Sequence, residues 1–445
     1  MRRLHVCSLV VAALLVLAGC SALGVADSTA DPASDRLGWE NGYWHDEAIA
    51  VTSQDGYNAS EREAIVSRTM ARVEKLRDLE FNKSVPVEVI SRDQYLANRS
   101  SGSGGNGPST HTLWNNQVWE GLFIVGEETS TAESFNSTLG ASVQGYYAPG
   151  KGKIVIVSDS ATPTLDTGTL AHELVHALQD QHLDMGASAD TQDRQLAVDG
   201  LVEGDANLVQ QLYRQRCGGK WRCLPKPAQS GGGSAPSGYN RGLFLTIYQP
   251  YATGPEFVDS LREDGGWAAV NDAYSKFPAS TEQTIHPALY PDETPVNVSV
   301  RDRSNTRWDR FNVDPVADTV GEASIYAMFV DNDVVTVEGQ AVFSYQSKPS
   351  AGWAGDSLVP YQNGAGDYGY VWKTVWDTET DAKEFLQAYH TLLEKHDARN
   401  PRQGVYVVPD SDPFGDAFRV VRNGKTVRIV NAPRVSQLDR IHASR

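Results

Sequence analysis

The segment 172–176 reads His-Glu-Leu-Val-His and has the HExxH pattern. Residues four apart on a helix lie one above the other, so His172 and His176 can present both imidazoles to one metal ion. Imidazole nitrogens are common ligands of Zn²⁺, and Glu173 would lie beside the metal, where it can take a proton from a zinc-bound water. The spacing predicts a zinc site with hydrolytic chemistry, although a surface helix can carry two histidines by chance.

A helix of about residues 167–182 must position these side chains. Asp166 and Thr167 are candidate N-cap residues, and apolar side chains recur after them at helical spacing, for example at Leu170, Leu174 and Leu178. The apolar run 153–157 just upstream is typical of a short strand. The expected order is a strand followed by the helix of the site.

A catalytic zinc site needs a third protein ligand, and His182 is the first candidate. It follows His176 by six residues, as in the metzincin pattern HExxHxxGxxH. That pattern has a glycine three residues after the second histidine, but this chain has Gln179, a good helix former. If the helix continues, six residues turn His182 by about 240° around the axis, and it faces away.

The second candidate is Glu203, on a second predicted helix of about residues 193–216. Asp199, Glu203 and Asn207 form a polar stripe between apolar positions of this helix. A buried carboxylate is costly unless it is paired or bound to a metal, so Glu203 is the favoured third ligand. A solvated helix face is the alternative.

The segment HELVHALQD resembles the HExxHxxxD stretch of thermolysin-like gluzincins, in which a glutamate on a following helix is the third zinc ligand. The resemblance covers about residues 140–215 and supports Glu203 in that role. Gluzincins also place an aspartate four residues after this glutamate, where the chain has Asn207. Asp180 and Asp205 remain alternatives for a carboxylate that supports a ligand histidine.

The gluzincin resemblance also implies a histidine or tyrosine that stabilises the developing oxyanion, from a position beyond the third ligand. His286 and Tyr290 are the best-placed pair by their order along the chain. A histidine before a proline at a helix end, however, more often has a structural role.

A longer resemblance covers most of the chain. Haloarchaeal HExxH surface lipoproteins and a group of secreted bacterial relatives share the motifs AHELxHALQDQ, VEGDA, STEQxxHPxxY and GWxGD. The chain has them at 171–181, 202–206, 280–290 and 352–356. The resemblance implies the metal site and says little about the substrate.

The N-terminus predicts export. An apolar run from Val6 to Leu17 follows two arginines, and Leu-Ala-Gly-Cys at 17–20 fits a lipobox, after which Cys20 would be lipidated. Residues 1–20 are therefore a predicted lipoprotein signal peptide and residues 21–37 a flexible tether. The protein is expected on the extracellular face of the cell membrane, held there by the lipid anchor alone.

Two further cysteines, Cys217 and Cys223, lie six residues apart. In an exported chain such a close pair favours a local disulfide over a zinc site, because only one pair exists.

The charge of the chain argues against nucleic acid as a partner. The net charge is −17, and 12 of the 39 basic residues are lysines. Excess carboxylate with little lysine is typical of a protein that stays soluble in concentrated salt, which favours a halophilic archaeal source and argues against nucleic-acid binding.

The predicted fold class is α+β, with a zincin-like metallopeptidase core at residues 38–319 and a C-terminal α+β module at residues 320–445. The module is predicted from a strand at 370–376, an amphipathic helix at 381–395 and a hairpin within 418–430.

Together these features predict an exported, lipid-anchored zinc metallopeptidase that acts on a peptide or protein. The alternative is a non-catalytic surface or envelope protein with a structural or degenerate zinc site. The presence of Glu173 favours the enzyme, because a purely structural site has no use for a carboxylate that is not a ligand.

Overall fold

The computed structural model has a mixed α+β fold. It describes residue 32 and the ranges 34–100, 108–139, 143, 145–160, 162–185, 189–227 and 238–444. The predicted signal peptide, Cys20 and most of the predicted tether lie outside the described residues. None of the helices in the described ranges is long and apolar enough to cross a membrane.

The described part of the chain alternates helices with short strands before residue 300 and is richer in strands after it. The helices are α1 (Ala59–Arg77), α2 (Arg92–Ser100), α3 (Thr110–Gly121), α4 (Thr131–Leu139), α5 (Thr167–His182), α6 (Gln192–Cys217), α7 (Arg241–Ala273), α8 (Thr281–Ile285), α9 (Gly321–Asp331), α10 (Glu379–Lys395) and α11 (Leu438–Ile441). The strands are β1 (Trp39–Glu40), β2 (Tyr43–Trp44), β3 (Val87–Ile90), β4 (Gly145–Ala148), β5 (Lys153–Val157), β6 (Trp308–Arg310), β7 (Trp353–Asn363), β8 (Tyr368–Trp376), β9 (Arg399–Arg402), β10 (Val405–Val407), β11 (Ala417–Asn423) and β12 (Thr426–Ala432).

A small sheet of three strands supports the HExxH helix. Its order is β3-β5-β4, with β3 parallel and β4 antiparallel to β5, so that β4 is an edge strand. Helix α5 begins after Asp166, whose side chain accepts hydrogen bonds from the N–H groups of Gly168 and Thr169 at 2.8 and 3.2 Å. The apolar face of α5 packs into a core with α1, α6 and this sheet.

A sheet of seven strands forms the other end of the molecule, in the order β6-β7-β8-β12-β11-β10-β9. The predicted hairpin is β11 and β12, in which Asn423 pairs with Thr426 across a turn at Gly424 and Lys425. Gly424 adopts a left-handed φ of 58°, which glycine tolerates without strain. The predicted strand 370–376 lies within β8, and the predicted helix begins two residues earlier, at Glu379.

No break in packing separates the two predicted regions. Arg36–Arg445 form one compact unit, and the expected boundary between residues 319 and 320 lies inside it. The largest apolar core joins both sides of that boundary, because α3 packs against β7 and β8. Trp114 and Val118 from α3 share this core with Leu358 and Trp372.

Helices α6 and α7 cross at glycines next to the predicted third ligand. A Cβ atom added at Gly204 would lie 2.4 Å from the carbonyl oxygen of Gly254, and one added at Gly254 would lie 2.3 Å from the carbonyl oxygen of Gly200. Backbone atoms cannot give way as a flexible side chain can. The crossing therefore fixes the position of α6 along α7, and with it the position of Glu203.

We expect Gly204→Ala to destabilise the protein by about 1–3 kcal/mol, because the new methyl group forces the two backbones apart. Thermal and denaturant unfolding measure the loss. Gly219→Ala is the matched control, since nothing lies within 4 Å of the Cβ added there. Equal stability of the two variants would contradict the close crossing.

Candidate metal centre

The structure brings together the three side chains predicted to bind zinc. The Nε2 atoms of His172 and His176 are 3.1 Å apart, and Oε2 of Glu203 lies 3.2 Å from the first and 3.4 Å from the second. The histidines occupy successive turns of α5, and Glu203 faces them from α6. Two ligands on one tetrahedral Zn²⁺, with bonds of about 2.0–2.1 Å, would be about 3.3 Å apart.

These three atoms have the chemistry of a candidate cation site. His176 Nδ1 is 2.8 Å from Oε1 of Gln179 and must donate to it, so its Nε2 carries a lone pair when the ring is neutral. Oε2 of Glu203 is buried, and within the ligand group it contacts only the two imidazole nitrogens, at 3.2 and 3.4 Å. Two imidazole nitrogens and a carboxylate oxygen are a ligand set suited to Zn²⁺.

The pKa values of His176 and Glu203 are both shifted by their mutual attraction. Burial alone would lower the pKa of His176, but the carboxylates of Glu203 and Glu173 outweigh it and raise the pKa to about 9. Burial alone would raise the pKa of Glu203, but the two imidazoles hold it well below its usual range. The cluster thus favours one added positive charge, from either a proton or a metal ion.

Gln179 orients His176 from behind. Its Nε2 atom lies 2.9 Å from the carbonyl oxygen of Val202 and 2.8 Å from the hydroxyl of Tyr274. The amide nitrogen must therefore point at these acceptors, and the amide oxygen at His176. The amide selects the tautomer of His176 that leaves Nε2 available for a metal.

Asp205 lies behind Gln179 and is fully buried. It accepts a hydrogen bond of 2.9 Å from Tyr274, and Nε of Arg77 donates a bifurcated hydrogen bond to its two oxygens, at 2.8 and 3.1 Å. Of the two carboxylates that the sequence left open, Asp205 is thus the one that supports a ligand histidine, and it acts through Gln179. Asp180 instead accepts a hydrogen bond of 2.6 Å from the hydroxyl of Tyr147.

Glu173 lies beside the three ligands without joining them. Its Oε2 accepts a hydrogen bond of 2.8 Å from the backbone N–H of Tyr147 on the edge strand β4. The strand therefore holds the carboxylate in place, while Asp180 holds the Tyr147 ring. A general base needs such a position, beside the metal ligands and outside their contacts.

The three ligands and Glu173 open into one cavity of about 630 Å³. Tyr146 and Tyr147 line it from β4 and Tyr251 from α7. The ring of Tyr251 stacks over His172, with centroids 6.4 Å apart and planes inclined by 18°. Burial, and then the Glu203 carboxylate with which the hydroxyl hydrogen bonds, raise the pKa of Tyr251 well above its ordinary value.

His182 faces away from the cluster, as expected for a helix that continues through Gln179. Its Nε2 atom lies 2.5 Å from the carbonyl oxygen of Glu80, and α5 ends at this residue. Among the described residues, the group that can share one metal ion with His172 and His176 contains Glu203 and not His182.

His286 and Tyr290 do not reach the cavity, and the oxyanion role expected for them is not supported. His286 Nε2 lies 3.2 Å from Oε1 of the buried Glu322, and this hydrogen bond raises the pKa of His286. Tyr290 donates a hydrogen bond of 2.7 Å to the carbonyl oxygen of Lys276. Order along the chain misled the prediction, because the segment after α7 turns toward α9 instead of the ligands.

Cys217 and Cys223 form the expected disulfide, with an S–S distance of 1.97 Å. It closes the loop that follows α6 and lies at the end of that helix away from Glu203.

Sequence analysis missed Gln179, Tyr147 and Tyr251. Gln179 had a usable signal, since it follows His176 by three residues and so shares its helix face. Tyr251 had none, because its place over His172 depends on the crossing of α6 and α7.

Comparisons with known proteins concern a different part of the chain. Residues 309–442 match the family model described as a domain of unknown function, DUF8575. None of the curated proteins compared with the chain matches it. The matched region covers the seven-stranded sheet except for Trp308, the first residue of β6, and excludes the candidate metal centre.

We expect Gln179→Leu to weaken zinc binding by about 10–100-fold, because His176 loses the acceptor that fixes its tautomer. Zinc affinity is measured by competition with a chromogenic chelator. Gln211→Leu, the same change at an exposed position of α6, should bind zinc as the wild type does. A normal affinity in Gln179→Leu would show that the amide does not position the ligand.

Proposed function

We propose that the protein is a zinc metallopeptidase with a zincin-like core. One observation carries the proposal: His172, His176 and Glu203 converge on one point, while Glu173, which is not among them, faces the same open cavity. The small sheet, the HExxH helix and a following helix with the third ligand support the zincin-like arrangement. The resemblance to gluzincins and to haloarchaeal surface lipoproteins supports it from the sequence.

The three ligands leave room for chemistry. The side chains of His172 and Glu203 remain 11% and 19% exposed, on the side that faces the cavity. A structural zinc site is closed by four protein ligands, whereas a catalytic one has three and an open position. Among the described residues, the candidate ligand group has three members.

Bound Zn²⁺ would supply Lewis acidity, both to a substrate carbonyl and to the attacking water. Glu173 would take the proton of that water and later pass it to the leaving amine. The N–H of Tyr147 keeps the Glu173 carboxylate at the cavity wall. Gln179 holds the ring of His176 during this exchange.

A peptide substrate fits the edge strand. Gly145, Tyr146 and Tyr147 of β4 line the cavity, and β4 is the last strand of its sheet. An extended peptide can add to such an edge through backbone hydrogen bonds, which would place a peptide bond next to Glu173. Export, and membrane attachment through a lipid on Cys20, are part of the same proposal.

Tyr251 replaces His286 and Tyr290 as the candidate for oxyanion stabilisation. Its hydroxyl lies at the ligand cluster, and its raised pKa keeps the hydroxyl protonated at neutral pH. A phenol O–H can donate to an oxygen that gains negative charge in the transition state.

We expect Glu173→Gln to reduce peptide hydrolysis by at least ~10²-fold and to retain zinc, because the amide has the shape of the carboxylate but cannot accept a proton. The assay is digestion of a peptide library, followed by mass spectrometry and metal analysis of the same sample. Full activity in this variant would exclude Glu173 as the base.

Two variants distinguish the two candidate third ligands, Glu203 and His182. Glu203→Ala should lose both zinc and activity, whereas His182→Ala should keep both, because His182 faces Glu80. Zinc retention by a wild-type protein that cleaves no peptide would favour the non-catalytic alternative.

We expect Tyr251→Phe to lower kcat by about 10–100-fold with zinc content unchanged, because only the hydroxyl is lost. Tyr248→Phe is the matched control. Tyr248 stacks on Tyr251 at a centroid distance of 5.9 Å but does not line the cavity. If both variants keep the wild-type kcat, the oxyanion contact comes from another group.

A further inference from the structure

A second group of carboxylates lies outside the metal centre, where α3 meets the seven-stranded sheet. Oxygen atoms of Glu120, Glu127 and Asp416 all lie within 4.8 Å of one another. Glu120 is at the end of α3, and Asp416 directly precedes β11. The backbone of Glu127 joins the two segments, since its N–H donates a hydrogen bond of 3.1 Å to the carbonyl oxygen of Pro413.

The strongest charges on this cluster are all negative. Burial and then Glu127 raise the pKa of Glu120 to about 8. Burial, and then Glu120 and Glu127, raise the pKa of Asp416 well above its ordinary value. Two further carboxylates, Asp410 and Glu128, act on Glu127 in the same direction. Glu120 and Asp416 are buried, whereas Glu127 is exposed. Buried carboxylates without a basic partner need either protons or a bound cation.

Two buried amides point to a cation. Gln117 and Asn431 are 5% and 0% exposed. Their nitrogens donate to Glu120 Oε2 at 2.5 Å and to Asp416 Oδ2 at 2.8 Å, so both amides are directed into the cluster. Among the described residues, Gln117 Oε1 and Asn431 Oδ1 nevertheless have no hydrogen-bond partner, although both atoms are buried. Buried amide oxygens are normally satisfied, and here each is attached to a group that already touches a carboxylate.

We propose that this cluster is a calcium site, formed by the carboxylates of Glu120, Glu127 and Asp416 with the amide oxygens of Gln117 and Asn431. Ca²⁺ takes six to eight oxygen ligands in flexible geometry, including carboxylates and amide carbonyls. A 180° rotation of either amide about its last bond turns its oxygen toward the carboxylates. The bound ion would tie α3, which belongs to the half with the zinc ligands, to β11 and β12.

A second acidic group of the described residues differs from this cluster in having positive charge nearby. Glu282, Glu293 and Asp377 also form a compact acidic group. Positive charge is close to that group, because Lys425 acts on Asp377 and the ion pair of His286 with Glu322 lies beside Glu282. Glu282 therefore provides a matched control.

The test uses the full, zinc-loaded chain with calcium removed, at constant ionic strength and pH 8. We expect CaCl₂ to raise Tm by about 4 °C at a concentration a hundred times Kd. MgCl₂ at equal concentration should raise it less, because Mg²⁺ demands small octahedral geometry and retains its waters. No shift with Ca²⁺, or an equal shift with Mg²⁺, would overturn the proposal.

The pH dependence gives a second readout. Without calcium, Glu120 holds a proton in the folded state that the unfolded chain has lost, so stability falls as the pH rises from about 4.5 to about 8. Calcium binds the ionised carboxylates and should remove most of this fall. The calcium-induced rise in Tm should therefore be larger at pH 8 than at pH 6, and a rise independent of pH would contradict the site.

The variants Glu120→Gln and Asp416→Asn remove charge without changing shape. Both should fold, and at pH 8 without calcium both should be at least as stable as the wild type, because a buried charge is lost. In excess calcium the order should reverse, since the variants no longer respond. Glu282→Gln should respond to calcium as the wild type does. Equal responses in the variants and the wild type would place the calcium elsewhere and overturn the proposal.

Discussion

The packing of α5 against α6 forces three electron-pair donors to within 3.1–3.4 Å of one another, and much of the structure serves to hold them there. Such a contact is repulsive unless a proton or metal ion lies between the donors. Helix α1 contributes Arg77, which pairs with Asp205, and Tyr274 follows directly after α7. Through Gln179 this buried chain of hydrogen bonds reaches His176. Helices α1, α5 and α6 therefore act together with Tyr274 to hold the Glu203 carboxylate opposite the two imidazoles.

The ligand group is backed by a buried hydrogen-bond network on one side and faces an open cavity on the other. The backing network is closed, because Asp205 is fully buried and paired with Arg77 at 1% exposure. Removing either partner would leave an uncompensated buried charge, which is strongly destabilising. On the other side, the cluster meets a cavity bounded by the edge strand β4 and the ring of Tyr251. A purely structural metal would need the first feature but not the second. The combination is what pre-organised catalysis requires.

Local sequence predicted what depends on helical periodicity. The bounds of α5, the facing of His172 and His176, and the rotation of His182 away from them all follow from 3.6 residues per turn. Glu203 could be found because a carboxylate in a polar stripe between apolar positions needs a partner. Tyr251 and the roles of His286 and Tyr290 depend on which distant segments meet, and order along the chain does not determine this. The boundary expected at residue 320 failed to mark a break in packing for the same reason, since the core is shared by α3 and β8.

The donor sets of the two proposed metal sites suit different ions. Glu203 lies between imidazole nitrogens, and nitrogen ligands favour Zn²⁺ over harder ions. The site proposed at Asp416 and Glu120 offers carboxylate and amide oxygens, a set that suits Ca²⁺ better than Zn²⁺. With a net charge of −17, attraction of cations to the chain is general and carries no selectivity. Selectivity must come from the few buried positions where the type of ligand atom and its distance are fixed by helix packing.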